Sequence, residues 1–143
     1  MKDICMTPIG IVERVQDSNV KDREVVSKVV LKNELVDALE GLDGFSHVWI
    51  IFWMHMASDR RHKLKTRPRG REGAPLLGVY ATRSPSRPNP IGLTLVELLA
   101  ADGNVLTVKG LDAFDGTPVL DLKPYDSWDR LEDYEVPQWW MEL

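Results

Sequence analysis

Three segments concentrate side chains that can do chemistry. The first runs Gly78-Val-Tyr-Ala-Thr-Arg-Ser-Pro-Ser-Arg-Pro-Asn-Pro-Ile-Gly92. Pro85, Pro88 and Pro90 each fix φ and remove an N–H donor, and Ser84, Arg87 and Asn89 before them are pushed towards extended backbone. The product is a stiff loop with unpaired carbonyls that presents Arg83 and Arg87. Such a loop suits the holding of a carboxylate or a phosphate; a proline-stiffened surface turn is the plainer alternative. The second segment is Asp112-Ala-Phe-Asp-Gly-Thr-Pro-Val-Leu-Asp-Leu-Lys-Pro-Tyr125. Asp115-Gly116 marks a tight turn, and Thr117 before Pro118 is extended. Asp121 and Lys123 alternate with Leu120 and Leu122, so both charges face one side of a strand, where a salt bridge is the ordinary outcome. The third, Leu42-Asp-Gly-Phe-Ser-His47, leads into an apolar strand that ends in His55. By itself His47 reads as a structural histidine.

Several familiar sites are absent. The ten glycines include no Gly-x-Gly pair, which excludes a dinucleotide loop and the Rossmann-type methyltransferase loop. There is no Gly-Lys-Ser/Thr phosphate loop and no Gly-x-Ser-x-Gly elbow. His47, His55 and His62 lack zinc-ligand spacing and Cys5 is the one cysteine, so neither a metal nor a disulfide framework is expected.

The elements that must position these segments are mostly strands. Pro8–Arg14, Val25–Leu31, Val48–Met54, Leu76–Ser84, Leu93–Leu99, Val105–Leu111 and Val119–Tyr125 read as strands, with a hairpin turn at Asp102-Gly103-Asn104. Val48–Met54 is apolar on both faces, as in a fully covered wall or a subunit contact. One short helix is expected, capped by Asn33, with Leu35, Leu39 and Leu42 on one face and Gly41 or Gly44 ending it. Together these predict a mainly β, single-domain antiparallel barrel-like curled sheet with one or two short helices and no Rossmann layer. At 143 residues, one domain over 1–143 is expected, with the barrel at about 4–125 and an acidic, Trp-rich tail at 126–143. The N-terminus has no signal-peptide core and the longest apolar run is too short to span a bilayer, so a soluble cytoplasmic protein without membrane contact is expected.

Charge is polarised beneath a net −4. Arg60, Arg61, Lys63, Lys65, Arg67, Arg69 and Arg71 fall in a stretch without an acid, whereas six acids face one base from Asp126 onward. The basic stretch reads either as a solvated loop, docked on an acidic tail, or as a contact to a nucleic-acid backbone, joined by Arg87. Trp128, Tyr134, Trp139 and Trp140 in the tail are expected to cover the core or a subunit interface rather than to stack on bases.

Thr7-Pro-Ile-Gly10, Leu42-Asp-Gly-Phe-Ser-His-Val-Trp49, Ala81-Thr-Arg-Ser-Pro-Ser-Arg-Pro-Asn-Pro-Ile-Gly92 and Asp115-Gly-Thr-Pro-Val-Leu-Asp-Leu-Lys-Pro-Tyr125 closely resemble the motifs of the TsaA-like (TrmO) family, in the family's order and across most of the chain. The resemblance implies a β-barrel fold and a homodimer with S-adenosylmethionine near the subunit contact. It also implies methylation of N6 of threonylcarbamoyl-adenosine next to the tRNA anticodon. Carried over residue by residue, the cofactor pocket falls on His55, Ala57, Ser58, Arg83, Leu93, Asp115, Gly116, Thr117 and Pro118. Two departures stand out. Family members often carry a Gln-Pro-Gly-like segment where this chain has Gln16-Asp-Ser-Asn-Val-Lys-Asp-Arg23, and longer members have a second C-terminal domain. Recognition of tRNA is then expected either to be weaker or to rest on Arg60–Arg71.

The sulfonium already activates the methyl group, so the chain's task is alignment, without a covalent intermediate. On this reading Arg83 suits the cofactor's carboxylate, free carbonyls of the proline loop suit the sulfonium, and Leu93 and Phe114 suit the adenine. Asp121, Lys123 and Tyr125 are the motif groups that can accept or relay the proton lost by the acceptor nitrogen. The alternatives are a non-catalytic module that binds S-adenosylmethionine or RNA, and an enzyme acting on a smaller acceptor.

Overall fold

The structure, a computed structural model, describes residues 1–14 and 19–143. The Gln16–Ser18 portion of the departing segment therefore lies outside the described residues. In chain order the strands are β1 (Gly10–Arg14), β2 (Val26–Leu31), β3 (His47–Trp53), β4 (Lys65–Thr66), β5 (Leu77–Gly78), β6 (Ile91–Asp102), β7 (Val105–Lys109) and β8 (Pro118–Pro124). The chain divides into two compact units, Met1–Met54 with Ile91–Asp126, and His55–Pro90 with Ser127–Leu143.

The first unit is a closed antiparallel barrel in the order β1-β2-β7-β6-β3-β8, with β8 returning to β1. Strand alternation builds its core. In β3, Val48, Ile50 and Phe52 are buried while His47, Trp49, Ile51 and Trp53 are half-buried on the other face. The run apolar on both faces is thus a barrel strand whose outer side is partly covered. Val12, Val29, Leu31, Val96, Leu106, Val108, Leu111 and Val119 complete the interior. At Gly92 a Cβ would lie 2.3 Å from the Phe52 ring, so only glycine lets that ring lie across β6. A bulge in β8 sets Ile51 opposite Asp121 and Phe52 opposite Val119, which skips Leu120 and buries it beside Val119. The bulge fixes the outward phase of Asp121 and Lys123. The Gly103-Asn104 turn joins β6 to β7 as expected.

Two local expectations differ. The 33–44 helix forms as two 3₁₀ segments, Asn33–Leu39 and Leu42–Gly44; Lys32 takes the N-cap position, no side chain caps it, and no residue is buried. Leu39 and Leu42 pack against the core only partly buried, which gives the short stretch little to favour full α-helical winding. Gly41, at φ 88°, does end the first segment.

The second unit has the two-stranded β4-β5 sheet, short 3₁₀ turns and one α-helix, α1 (Gln138–Met141). The expected strand Leu76–Ser84 shortens to Leu77–Gly78 and then turns at Val79–Ala81. The Thr82 hydroxyl donates to the Val79 carbonyl at 2.8 Å and accepts the Ser84 N–H at 3.2 Å, so local side-chain bonds replace a ladder there. Trp139 and Trp140 meet edge to face, whereas Trp128 and Tyr134 are 91% and 73% exposed and cover no core.

Candidate functional site

In the barrel unit the segment from Gly110 to Pro118 leaves β7 and re-enters the wall at β8. Away from the ladder its polar groups need other partners. Gly116 stands at φ 81°, where an L side chain is strained, and its N–H donates to the Val12 carbonyl at 2.8 Å. Buried Thr117 bonds the Phe114 carbonyl through its hydroxyl at 2.7 Å, and its own carbonyl accepts the Val12 N–H at 2.9 Å. Asp115 accepts the Arg14 main-chain N–H on Oδ1 at 3.0 Å. Asp112 accepts the Thr94 hydroxyl and lies 3.8 Å from Arg23. The Asp115–Pro118 turn is therefore hung from β1. Phe114 and Leu93, the proposed apolar walls, are 52% and 48% exposed.

On β8, Lys123 Nζ lies 3.2 Å from Asp121 Oδ2, so the two charges that share a face form an ion pair. The Tyr125 main chain donates to the His47 carbonyl at 3.1 Å, and its ring meets those of His47 and Trp49 at 6.4 and 6.3 Å. Ser46 Oγ and His47 Nδ1 are 2.8 Å apart, which gives His47 a local partner. Asp121, Lys123 and Tyr125 thus sit together, with His47 and Trp49 beside them. A groove of about 330 Å³ lined by Leu39, Leu42, Phe45, Leu122 and Pro124 involves none of the predicted site residues.

In the second unit, buried Ala57 and exposed Ser58 stand in the 3₁₀ segment His55–Arg60, and Ser58 Oγ donates to the His55 carbonyl at 2.9 Å. His55 Nδ1 is buried without a hydrogen-bond partner among the described residues. Arg83 is exposed, and its side chain has no partner among the described residues. Arg87 folds back on its own loop. Its Nη1 donates to the carbonyls of Thr82 and Ser84 at 3.1 and 3.0 Å, and its guanidinium carbon lies 5.8 Å from the Tyr80 ring centroid. Arg61 donates to the Pro88 carbonyl at 2.6 Å and to Asn89 Oδ1 at 3.0 Å. The proline loop's carbonyls were expected to stand unpaired; those of Thr82, Ser84 and Pro88 are occupied, because arginine side chains supply the donors that the prolines lack.

Other members of the basic stretch are tied in the same way. Arg67 Nη1 holds the Ala74 carbonyl at 2.6 Å, Arg69 Nη1 the Leu143 carbonyl at 3.2 Å, and Arg60 lies 3.9 Å from Asp59. Lys63, Lys65 and Arg71 have side chains without a partner among the described residues. Among the described residues no group of three or more His, Cys, Asp or Glu can hold a metal ion, and no helix is long and apolar enough to cross a membrane.

Each unit by itself offers groups of suitable chemistry for S-adenosylmethionine: an unpartnered Arg83 guanidinium and a buried orphan His55 nitrogen in the second, and the Asp115 carboxylate held by Arg14 with exposed Leu93 and Phe114 in the barrel. The sequence reading missed Arg14, which acts on residues about a hundred positions away and leaves no local signal.

The family model described as tRNA-methyltransferase O N-terminal domain matches residues 15–129. A probable S-adenosyl-L-methionine-binding protein of Methanothermobacter thermautotrophicus is 48% identical over 99 residues, 69% of either chain. A tRNA (adenine(37)-N6)-methyltransferase of Mus musculus is 48% identical over 101 residues, 71% of this chain and 22% of that protein. The crystal structure of TrmO from Pseudomonas aeruginosa superposes with a TM-score of 0.76 at 31% identity, covering 96% of this chain and 62% of that one. The chain thus spans about a fifth of the mouse protein and under two thirds of the crystallised one.

Proposed function

Because the chain belongs to the tRNA-methyltransferase O N-terminal domain family, we propose that it is an S-adenosylmethionine-dependent methyltransferase acting on N6 of threonylcarbamoyl-adenosine beside the tRNA anticodon. The observation that carries this reading is the family match over 15–129, within which every proposed site residue falls.

When bound, S-adenosylmethionine supplies an electrophilic methyl group on a sulfonium, so the chain's part is to bind and to orient. Arg83 would pair with the cofactor carboxylate. Asp115, held through Oδ1, offers its other oxygen from a fixed turn, with Gly116, Thr117 and Pro118 setting the backbone. Leu93 and Phe114 would cover the apolar part, and the family resemblance also assigns His55, Ala57 and Ser58 to cofactor binding. Asp121, in ion-pair contact with Lys123, takes the proton from the acceptor nitrogen, with Tyr125 beside it. Lys63, Lys65 and Arg71 meet the tRNA backbone; Arg60, Arg61, Arg67, Arg69 and Arg87 shape the surface that carries them. The protein works in the cytoplasm as a homodimer, whose contact uses apolar side chains of the outer barrel wall such as Ile91.

One further reading has support of its own. The archaeal relative is named as a binding protein, and it is matched over 69% of its length. Incubation with methyl-labelled S-adenosylmethionine and total tRNA separates the two. Label in tRNA adenosine supports the enzyme, binding without transfer supports the module, and absence of binding sinks both.

A further inference from the structure

We propose that Arg14 is a positioning residue that sets the Asp115–Pro118 turn before the cofactor arrives. The inference rests on the reading of that turn as a cofactor contact. Arg14 closes β1, and it holds the crossing segment with two independent arms. Its main-chain N–H donates to Asp115 Oδ1 at 3.0 Å. Its guanidinium Nη1, which bears two hydrogens, donates to the Leu111 carbonyl at 3.2 Å and to the Ala113 carbonyl at 3.1 Å. Nη2 reaches the Asn19 carbonyl at 3.3 Å.

Leu111 and Ala113 are buried, so their carbonyls have left water as well as the ladder. A buried carbonyl without a donor is costly, and one planar guanidinium supplies donors to both. The arrangement pins the chain on the N-terminal side of the turn at two points. Gly116 and Thr117 pin it to Val12 at the other end. Between these anchors lie Phe114, whose carbonyl accepts the Thr117 N–H at 3.2 Å, and Asp115, whose carboxylate is caught by the Arg14 N–H. Its direction is therefore fixed by β1 and not by a cofactor.

The side-chain arm is separable from the barrel. The β1 ladder to β2 and β8 uses main-chain groups alone, so removing the guanidinium spares it. A lysine can reach one carbonyl but cannot span two with the same geometry. Loss of the guanidinium frees the turn, and a small displacement of a binding group is enough to cost affinity.

The test uses the full chain with S-adenosylmethionine as ligand, by titration calorimetry, together with amide hydrogen exchange in the free protein. Arg14→Ala is expected to weaken binding by about tenfold or more and Arg14→Lys by less. Exchange should accelerate at Gly116 and Thr117 while Val29 and Val108 keep their rates. With turnover, KM for the cofactor should rise more than kcat falls. If Arg14→Ala does not fold, Arg14→Lys carries the same comparison. Unchanged affinity and unchanged Gly116 exchange overturn the inference, as does a uniform acceleration across the barrel, which marks a merely structural role. Failure of the unsubstituted chain to bind overturns the cofactor reading and the inference with it; binding that no Arg14 variant alters overturns the inference alone.

Discussion

The barrel and the second unit solve one problem by different means. Main-chain donors and acceptors removed from water must be paired. In the barrel, six strands pair each other around a closed ring, and side chains are left to fill the interior. In the His55–Pro90 and Ser127–Leu143 unit, the prolines have removed donors, and Arg61, Arg67, Arg69 and Arg87 donate to carbonyls instead. A ladder is cooperative and insensitive to most single side chains. A guanidinium clamp depends on one residue. The Asp115–Pro118 turn belongs to the barrel in sequence and space but is held by both devices, which is why a single arginine matters there.

The comparison predicts where substitutions hurt. Ile50→Ala, fully buried in the barrel, should lower stability by roughly 2–5 kcal/mol in chemical denaturation. A loss below about 1 kcal/mol would mean that the interior is not the seat of stability. Next comes Gly92→Ala, which drives a methyl group onto the Phe52 ring and should cost about 1–3 kcal/mol. The double variant Gly92→Ala with Phe52→Leu should recover part of that loss relative to the sum of the two single changes. Arg61→Ala removes the bonds to the Pro88 carbonyl and Asn89 Oδ1 from an exposed side chain of the second unit. Global stability should move by no more than about 1 kcal/mol, whereas exchange of the amides around Asn89 should accelerate. A matching acceleration in β2 and β7 would erase the distinction between the units.

The barrel was legible because short β-favouring runs broken by turn residues leave few other architectures, and six of the seven expected strands join its wall. The pairing of Asp121 with Lys123 was legible as well, since a two-residue step on a strand keeps both on one face. What failed were places where side chains compete with the backbone. The Leu76–Ser84 run has strand composition, yet Thr82 satisfies its neighbours locally and ends the strand at Gly78. The proline loop's residues were found, but not that Arg87 and Arg61 occupy its carbonyls, because the second partner lies in another loop. Arg14 escaped because its partners in the crossing segment lie 97 to 101 positions away.

The smallest effect concerns the ion pair of Lys109 with Glu24. Lys109 Nζ lies 2.8 Å from Glu24 Oε2. The hydrogen bond that Lys109 donates to Glu24, then the Glu24 charge, raise the Lys109 pKa above the ordinary value of 10.5, and the charge of Glu97 adds to this while desolvation opposes it. A lysine raised on folding is protonated more readily in the native state than in the unfolded chain. Its contribution is therefore complete below pH 10.5 and fades as the pH climbs through the raised value. Glu24→Gln should return the Lys109 titration towards the ordinary value, read from its side-chain NMR shifts, and should flatten that alkaline loss. Because the pair is solvent-screened, raising the salt concentration should mimic the substitution in part. If alkaline titration of this lysine instead unfolded the barrel outright, the ladder would not be what holds the ring closed, and the contrast with the arginine-clamped unit would disappear.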